Sequence, residues 1–146
     1  MVISRDPVSK EVVLPLDHDS AVPLHSVLGN LMTHMATTDD RCPFCRASKR
    51  SNHGEWCPTH FGGMMFRCLK EFLGSDREEL VVRLSDMELL RLAEIVQWHR
   101  NQVGYNEGRC VECGAMYRDS HRSDCSMSFV DQFCLFLATS KASEGR

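Results

Sequence analysis

One spacing constrains this chain more than any other. Cys42-x2-Cys45-x7-His53-x3-Cys57 recurs as Cys110-x2-Cys113-x7-His121-x3-Cys125, with all four positions displaced by 68 residues (110 against 42). At the same displacement Arg41 meets Arg109, Ala47 meets Ala115, Phe61 meets Phe129 and Leu69 meets Leu137, so the likeness runs past the quartets into the segments after them. Two cysteines separated by two residues let a tight turn aim both sulfurs at one ion, and His-x3-Cys sets two further donors about one turn apart. Each quartet fills a tetrahedral shell and leaves no place for water, which marks structural rather than catalytic zinc. The sequence therefore predicts two structural Zn2+ ions, one on Cys42, Cys45, His53 and Cys57, the other on Cys110, Cys113, His121 and Cys125. His60, three residues after Cys57, is an alternative donor to His53; the matching place in the second quartet is Ser128, which favours His53.

Composition agrees with a need for such anchors. The 146 residues include eight cysteines and seven histidines but only 8% aromatic side chains, so one modest core, or two very small ones, is all the chain can bury. With 42% hydrophobic and 25% charged residues it is neither a disordered nor a collagen-like sequence. The opening MVISRDPVSK lacks the basic and then apolar run of a secretory signal, and no stretch approaches about 18 consecutive apolar residues. A cytoplasmic, reducing setting is expected, in which paired cysteines serve as metal ligands more often than as disulfides.

Periodicity supplies the elements. Helices are predicted after each quartet, from Phe61, Met65, Leu69 and Phe72 and from Phe129, Phe133, Phe136 and Leu137, with Cys57 and Cys125 at their caps and Pro58 in a first helical position. Gly62 and Gly63 weaken the first of these by about 1 kcal/mol each. Ser75-x-x-Glu78 and Ser85-x-x-Glu88 read as capping boxes opening helices over 76–83 and 86–102. A further helix is predicted over 23–35, and Val12 to Leu16, around Pro15, reads as an extended arm or edge strand. Cys68 and Cys134 fall in apolar helix patterns and are read as core thiols. His18, His25, His34 and His99 are read as ordinary surface or partly buried histidines. The expected organisation is an N-terminal arm and helix over 1–40, zinc module 1 over 41–73, a helical linker pair over 74–104, zinc module 2 over 105–140 and a flexible tail over 141–146. The fold class is mainly α, a small zinc-stabilised helical protein of two duplicated zinc-loop-plus-helix modules around a central helix pair.

Charge narrows the partners. The formal net charge is −3, and three thiolates around each Zn2+ make the loaded protein more acidic still, so general capture of nucleic acid is not expected. Only 41–73 is basic, and there Arg41, Arg46, Lys49 and Arg50 surround the x7 loop as candidate contacts for a phosphate backbone or a partner. The second loop sets Arg109, Arg118 and Arg122 against Glu112, Asp119 and Asp124, a balance that suits a protein surface. Apolar residues lie nearly all round the helix from Phe129 to Leu137, which suggests a buried helix or a homodimer.

Cys-Pro-Phe-Cys, seven residues, then His-x3-Cys-Pro resembles the compact Cys3His zinc modules of small phage and bacterial proteins. The likeness covers about 40–60 and 108–128 and implies an accessory or host-directed role through protein contacts, in the host cytoplasm if phage-encoded. The quartets also look similar to the retroviral-type zinc knuckle, but that module has four residues on either side of its histidine, so its nucleic-acid function is not carried over. Asp17-His18, Asn30 and Cys42-x2-Cys45 look faintly like an HNH nuclease, yet Arg46 stands where that family has its second catalytic histidine. No Gly-x-Ser-x-Gly, phosphate loop or His-Glu-x-x-His is present. The expectation is a non-enzymatic zinc-binding adaptor or inhibitor acting through protein–protein contacts, with a nucleic-acid binder as the alternative and a metal-dependent nuclease as a remote one.

Overall fold

The computed structural model describes residues 2–37, 42–45, 57–102, 105–106, 109–110, 112–116, 121–122 and 125–144. Two strands, β1 (Ser4–Arg5) and β2 (Val12–Leu16), lead into helix α1 (His18–Thr37); α2 (Pro58–Leu73), strand β3 (Leu80–Leu84) and α3 (Asp86–Gln102) follow. A short hairpin, β4 (Tyr105–Asn106) and β5 (Arg109–Cys110), precedes α4 (Ser126–Glu144).

The sheet order is β1-β2-β3, antiparallel throughout, with Val12 opposite Leu84, Leu14 opposite Val82 and Leu16 opposite Leu80. Val12, Leu14 and Leu16 are buried and alternate with half-buried Val13 and Pro15, as one covered face of a strand requires. Pro15 is tolerated because β1 spans only the Val12 and Val13 end of β2, leaving the ring beyond the last partner. The arm is thus the middle strand of the sheet, not an edge.

The helix predicted over 76–83 is instead strand β3. Ser75 does not open a helix: its hydroxyl donates to the Phe72 carbonyl (2.7 Å) and its N–H bonds the same oxygen (3.1 Å), closing the C-terminus of α2. The segment Leu80-Val81-Val82 then finds a ladder on β2, where β-branched side chains pack better than in a helix. Ser85 and Glu88 do form a reciprocal capping box at α3, Ser85 N–H to Glu88 Oε1 (3.0 Å) and Glu88 N–H to Ser85 Oγ (3.2 Å). Helix α1 begins five residues before the predicted start at Pro23. Asp17 caps it, its Oδ1 accepting the Ser20 N–H (2.7 Å) while Ser20 Oγ accepts the Asp17 N–H (2.9 Å). α4 continues through Glu144, into the 141–146 segment expected to be a flexible tail.

One hydrophobic cluster joins all four helices and the sheet. α1 contributes Ala21, Leu24, Val27, Leu28 and Leu31, α2 Phe61, Met65, Leu69 and Phe72, α3 Leu89, Leu92, Ile95 and Val96, and α4 Met127, Phe129, Val130 and Phe133. Each fully buried Leu or Phe stabilises the fold by roughly 2 kcal/mol through apolar transfer. Gly62 is where α2 comes closest to its neighbours, since a Cβ there would stand 3.0 Å from Ile95 Cδ1 and 3.4 Å from Leu31 Cδ2. The cost of that glycine to the helix is offset by the approach it permits.

Three element starts repeat the displacement seen in the quartets: β3 begins 68 residues after β2 (80 against 12), α3 after α1 (86 against 18), α4 after α2 (126 against 58). Burial follows suit, with Ala21, Leu24, Val27 and Leu28 matched by buried Leu89, Leu92, Ile95 and Val96.

Candidate metal centres

Two groups of donors are assembled at the N-termini of α2 and α4. Cys110, Cys113, His121 and Cys125 bring one ligand atom each within 4.8 Å of one another, and Cys42, Cys45 and Cys57 do the same. No disulfide joins any of the eight cysteines. Zinc with Zn–S bonds near 2.3 Å holds its sulfurs about 3.8 Å apart, whereas a disulfide needs about 2.05 Å. Cys42 Sγ lies 3.7 Å from Cys57 Sγ, and Cys110 Sγ lies 3.6 Å from Cys125 Sγ. His121 Nδ1 stands 3.2 Å from Cys113 Sγ and 3.9 Å from Cys125 Sγ. These separations suit a shared ion.

Local structure explains how the chain reaches this geometry. Gly114, at φ +76°, turns the backbone so that its N–H bonds the Cys110 carbonyl (3.0 Å) while the Cys110 N–H bonds Ala115 (2.7 Å), which points both sulfurs of the second knuckle the same way. Cys57 caps α2 in an extended conformation with Pro58 in the first turn, and α4 starts immediately after Cys125. The Cys42, Cys57, Cys110 and Cys125 side chains are buried, Cys45 and Cys113 half-buried.

The surroundings favour thiolates selectively. Burial pushes the Cys57 thiol up to about 11 and raises Cys125 as well, aided in each by the neighbouring sulfurs. At Cys113 burial acts the same way but is outweighed by hydrogen bonds from the Ala115 and Arg122 N–H groups and from His121, which bring it down to about 6. At Cys42, burial is overcome by bonds from the Cys45 N–H, the Thr59 hydroxyl and the Phe44 N–H, and its pKa is lowered. A divalent cation would compensate the crowded negative charge of all three sulfurs at once.

The structure also places groups that the spacing did not reveal. Thr59 Oγ1 lies 3.1 Å from Cys42 Sγ. His121 Nε2 lies 3.5 Å from Asp131 Oδ2 on α4, an orienting carboxylate, while Nδ1 faces the sulfurs. The Ser126 N–H donates to Glu112 Oε2 (2.9 Å), its hydroxyl donates to Glu112 Oε1, and the fully buried His99 donates from Nε2 to Ser126 Oγ (3.1 Å). His99 Nδ1 has no hydrogen-bond partner among the described residues. Burial lowers the His99 pKa, and Ser126 holds the Glu112 carboxyl below its ordinary value against the effect of burial. Neither residue carries a spacing signal, because the contact joins three separate segments.

His53, Arg41, Arg46, Lys49 and Arg50 lie outside the described residues. His60 is exposed in the first turn of α2 and belongs to neither group of donors. Cys68 is exposed rather than a core thiol, being on the outer side of α2, and Cys134 is half-buried. His18 bonds the Arg77 carbonyl (2.7 Å), His25 stacks on Phe66 and His34 meets the edge of Trp98, so these histidines serve packing. No described helix is long and apolar enough to cross a membrane. The chain matches no known protein family, and neither curated proteins nor solved structures provide a match to it.

Proposed function

We propose that this chain is a non-enzymatic adaptor or inhibitor, built from two copies of a strand, helix, metal-loop and helix unit, in which two structural zinc ions hold a surface for a protein partner. The observation that carries this reading is the quartet of Cys110, Cys113, His121 and Cys125. Four protein donors complete a tetrahedral shell, so the ion they hold organises the fold instead of activating water. The recurrence of element starts and buried positions at the quartet's own displacement supports the duplication. The net charge of −3 speaks for a protein surface over a polyanion.

Elemental analysis of reduced, freshly purified protein tests it. Two zinc per chain are expected, falling to one in Cys125→Ser and in His53→Ala, with His60→Ala unchanged. Metal-free protein with an intact fold would defeat the reading. A labelled single-stranded oligonucleotide should not bind at physiological salt; tight binding abolished by changing Arg46, Lys49 and Arg50 to Ala would replace the partner protein with nucleic acid.

A further inference from the structure

β3 lies at the edge of its sheet, and among the described residues no backbone group bonds its outer side. Pro15 sets the phase of the ladder. Having no N–H, it belongs opposite Val81 in a pair that exchanges no bonds, so Leu80, Val82 and Leu84 turn their backbone groups toward β2 and Val81 and Arg83 turn theirs outward. The outer side thus offers a donor and an acceptor at each of two alternate residues. Val81 is 47% exposed, and Arg83 and Glu79 are exposed beside it.

We propose that this edge pairs with the same edge of a second copy, antiparallel, with Val81 opposite Val81, making a continuous six-stranded sheet. Charge selects both the occupant and the register. With the two Val81 residues opposed, Arg83 of each copy faces Glu79 of the other, so two ion pairs flank the symmetry axis; centring the axis on Val82 instead would set Glu78 of one copy opposite Asp86 of the other. Among the described residues Arg83 meets Asp6 (3.1 Å) and Glu11 (3.8 Å) through Nη1 alone, and its other donors can serve the second copy. Beside the edge, on the face that carries Val82 and Leu84, runs a groove of about 200 Å³ with Met64 and Cys68 of α2 along its wall. Met64 is 54% exposed, and extending the sheet past this groove would cover it. A protein strand left with outward backbone groups and one charged guard is a template for another strand. The metal sites play no part in this pairing.

The test is the solution mass of the full chain by light scattering and sedimentation equilibrium. Twice the chain mass is expected at tens of micromolar. Val81→Pro removes an outward N–H that the β2 ladder does not use, and should give one chain mass with an unchanged circular dichroism spectrum. If Val81→Pro does not fold, Val81→Lys serves, with the same expectation. Glu79→Arg should weaken dimerisation about tenfold at low salt and less at high salt. Leu135→Glu, on the exposed face of α4, should leave the dimer intact. A single-chain mass for the native protein at 100 µM, or a dimer lost on Leu135→Glu and kept in Val81→Pro, would overturn the proposal.

Discussion

Three pairs of positions distinguish the joints that follow the two metal loops. Leu31, Phe44 and Pro58 in the first stand where His99, Glu112 and Ser126 stand in the second, each 68 residues on (99 against 31). Both halves face one problem: the residue capping the helix after the metal loop is a cysteine, and a sulfur committed to an ion is a poor partner for the exposed N–H groups of a first turn. The first half removes a donor, since Pro58 has no N–H, and its neighbours at the other two positions are apolar. The second keeps the donor in Ser126 and supplies an acceptor in Glu112, braced by the buried His99. One backbone plan thus carries a dry joint in one half and a polar joint in the other. A polar joint half made would leave a buried donor or acceptor unmet.

The largest effect expected is loss of metal. Structural zinc can contribute on the order of 10 kcal/mol to a small module. A strong chelator at pH 7 should therefore abolish the cooperative thermal transition followed by circular dichroism. Cys57→Ser and Cys125→Ser should each remove one equivalent of zinc. The second should lower the melting temperature more, because displacing Cys125 also disturbs Ser126, Glu112 and His99. Equal losses in the two variants would show that the polar joint adds nothing to its module.

Next in size is the joint itself. Glu112→Phe strands the Ser126 N–H and hydroxyl and should cost about 1–2 kcal/mol in denaturant unfolding, the usual scale for losing a helix cap. Adding Ser126→Pro and His99→Leu rebuilds the first half's set. The triple variant should recover at least part of that loss. If it is less stable than the single variant by the sum of three independent changes, the joints are not interchangeable.

The polar joint should also make the second half sensitive to acid. Because burial lowers the His99 pKa in the folded protein, the unfolded chain takes up that proton first. Stability is then fully present above the ordinary histidine value of 6.5 and falls as pH drops below it, by at most about 1.4 kcal/mol per pH unit for one proton. Glu112, lowered from 4.5, adds a separate loss only under more acidic conditions. Protonation of metal ligands contributes to both proteins alike, so the measurement is the difference between native protein and His99→Leu across pH 7 to 5. The difference should narrow as pH falls; a constant difference would mean that His99 does not titrate in this range.

What could be read beforehand divides along the same line. The quartets were legible because metal geometry fixes spacing, and α3 was legible because Ser85 and Glu88 are local to its first turn. The displacement of 68 is plain only from Arg41 onward, since upstream just Glu11 with Glu79, Val13 with Val81, Leu16 with Leu84 and Leu24 with Leu92 keep their identity. There, what recurs is burial, and alternation over five residues is a weak signal in one sequence. The Ser75 motif misled because a serine can close one helix with the same hydroxyl that would open another. The contact of Glu112 and His99 through Ser126 has no local signal, because it depends on the packing of α3 against the second loop.

The smallest effect expected lies in the hairpin of β1 and β2. Between β1 and β2 the chain turns through Asp6, whose Oδ1 accepts the N–H of Val8 (2.8 Å) and Ser9 (3.2 Å), and it returns through Lys10 at φ 67°. Lysine in the left-handed region carries a steric cost that glycine avoids, set against the greater freedom glycine has when unfolded. The bonds this residue makes are from its backbone, N–H to Asp6 (2.9 Å) and carbonyl from Arg5 Nη1 (2.7 Å), and they survive the change. Lys10→Gly should therefore stabilise the protein by roughly 0.5 kcal/mol, read as a small rise in the denaturation midpoint with no change of slope. Because the turn only presents β1 to β2, zinc content should stay as in the native protein. A fall in the midpoint would mean that the lysine stem covers more of β1 than its exposure indicates.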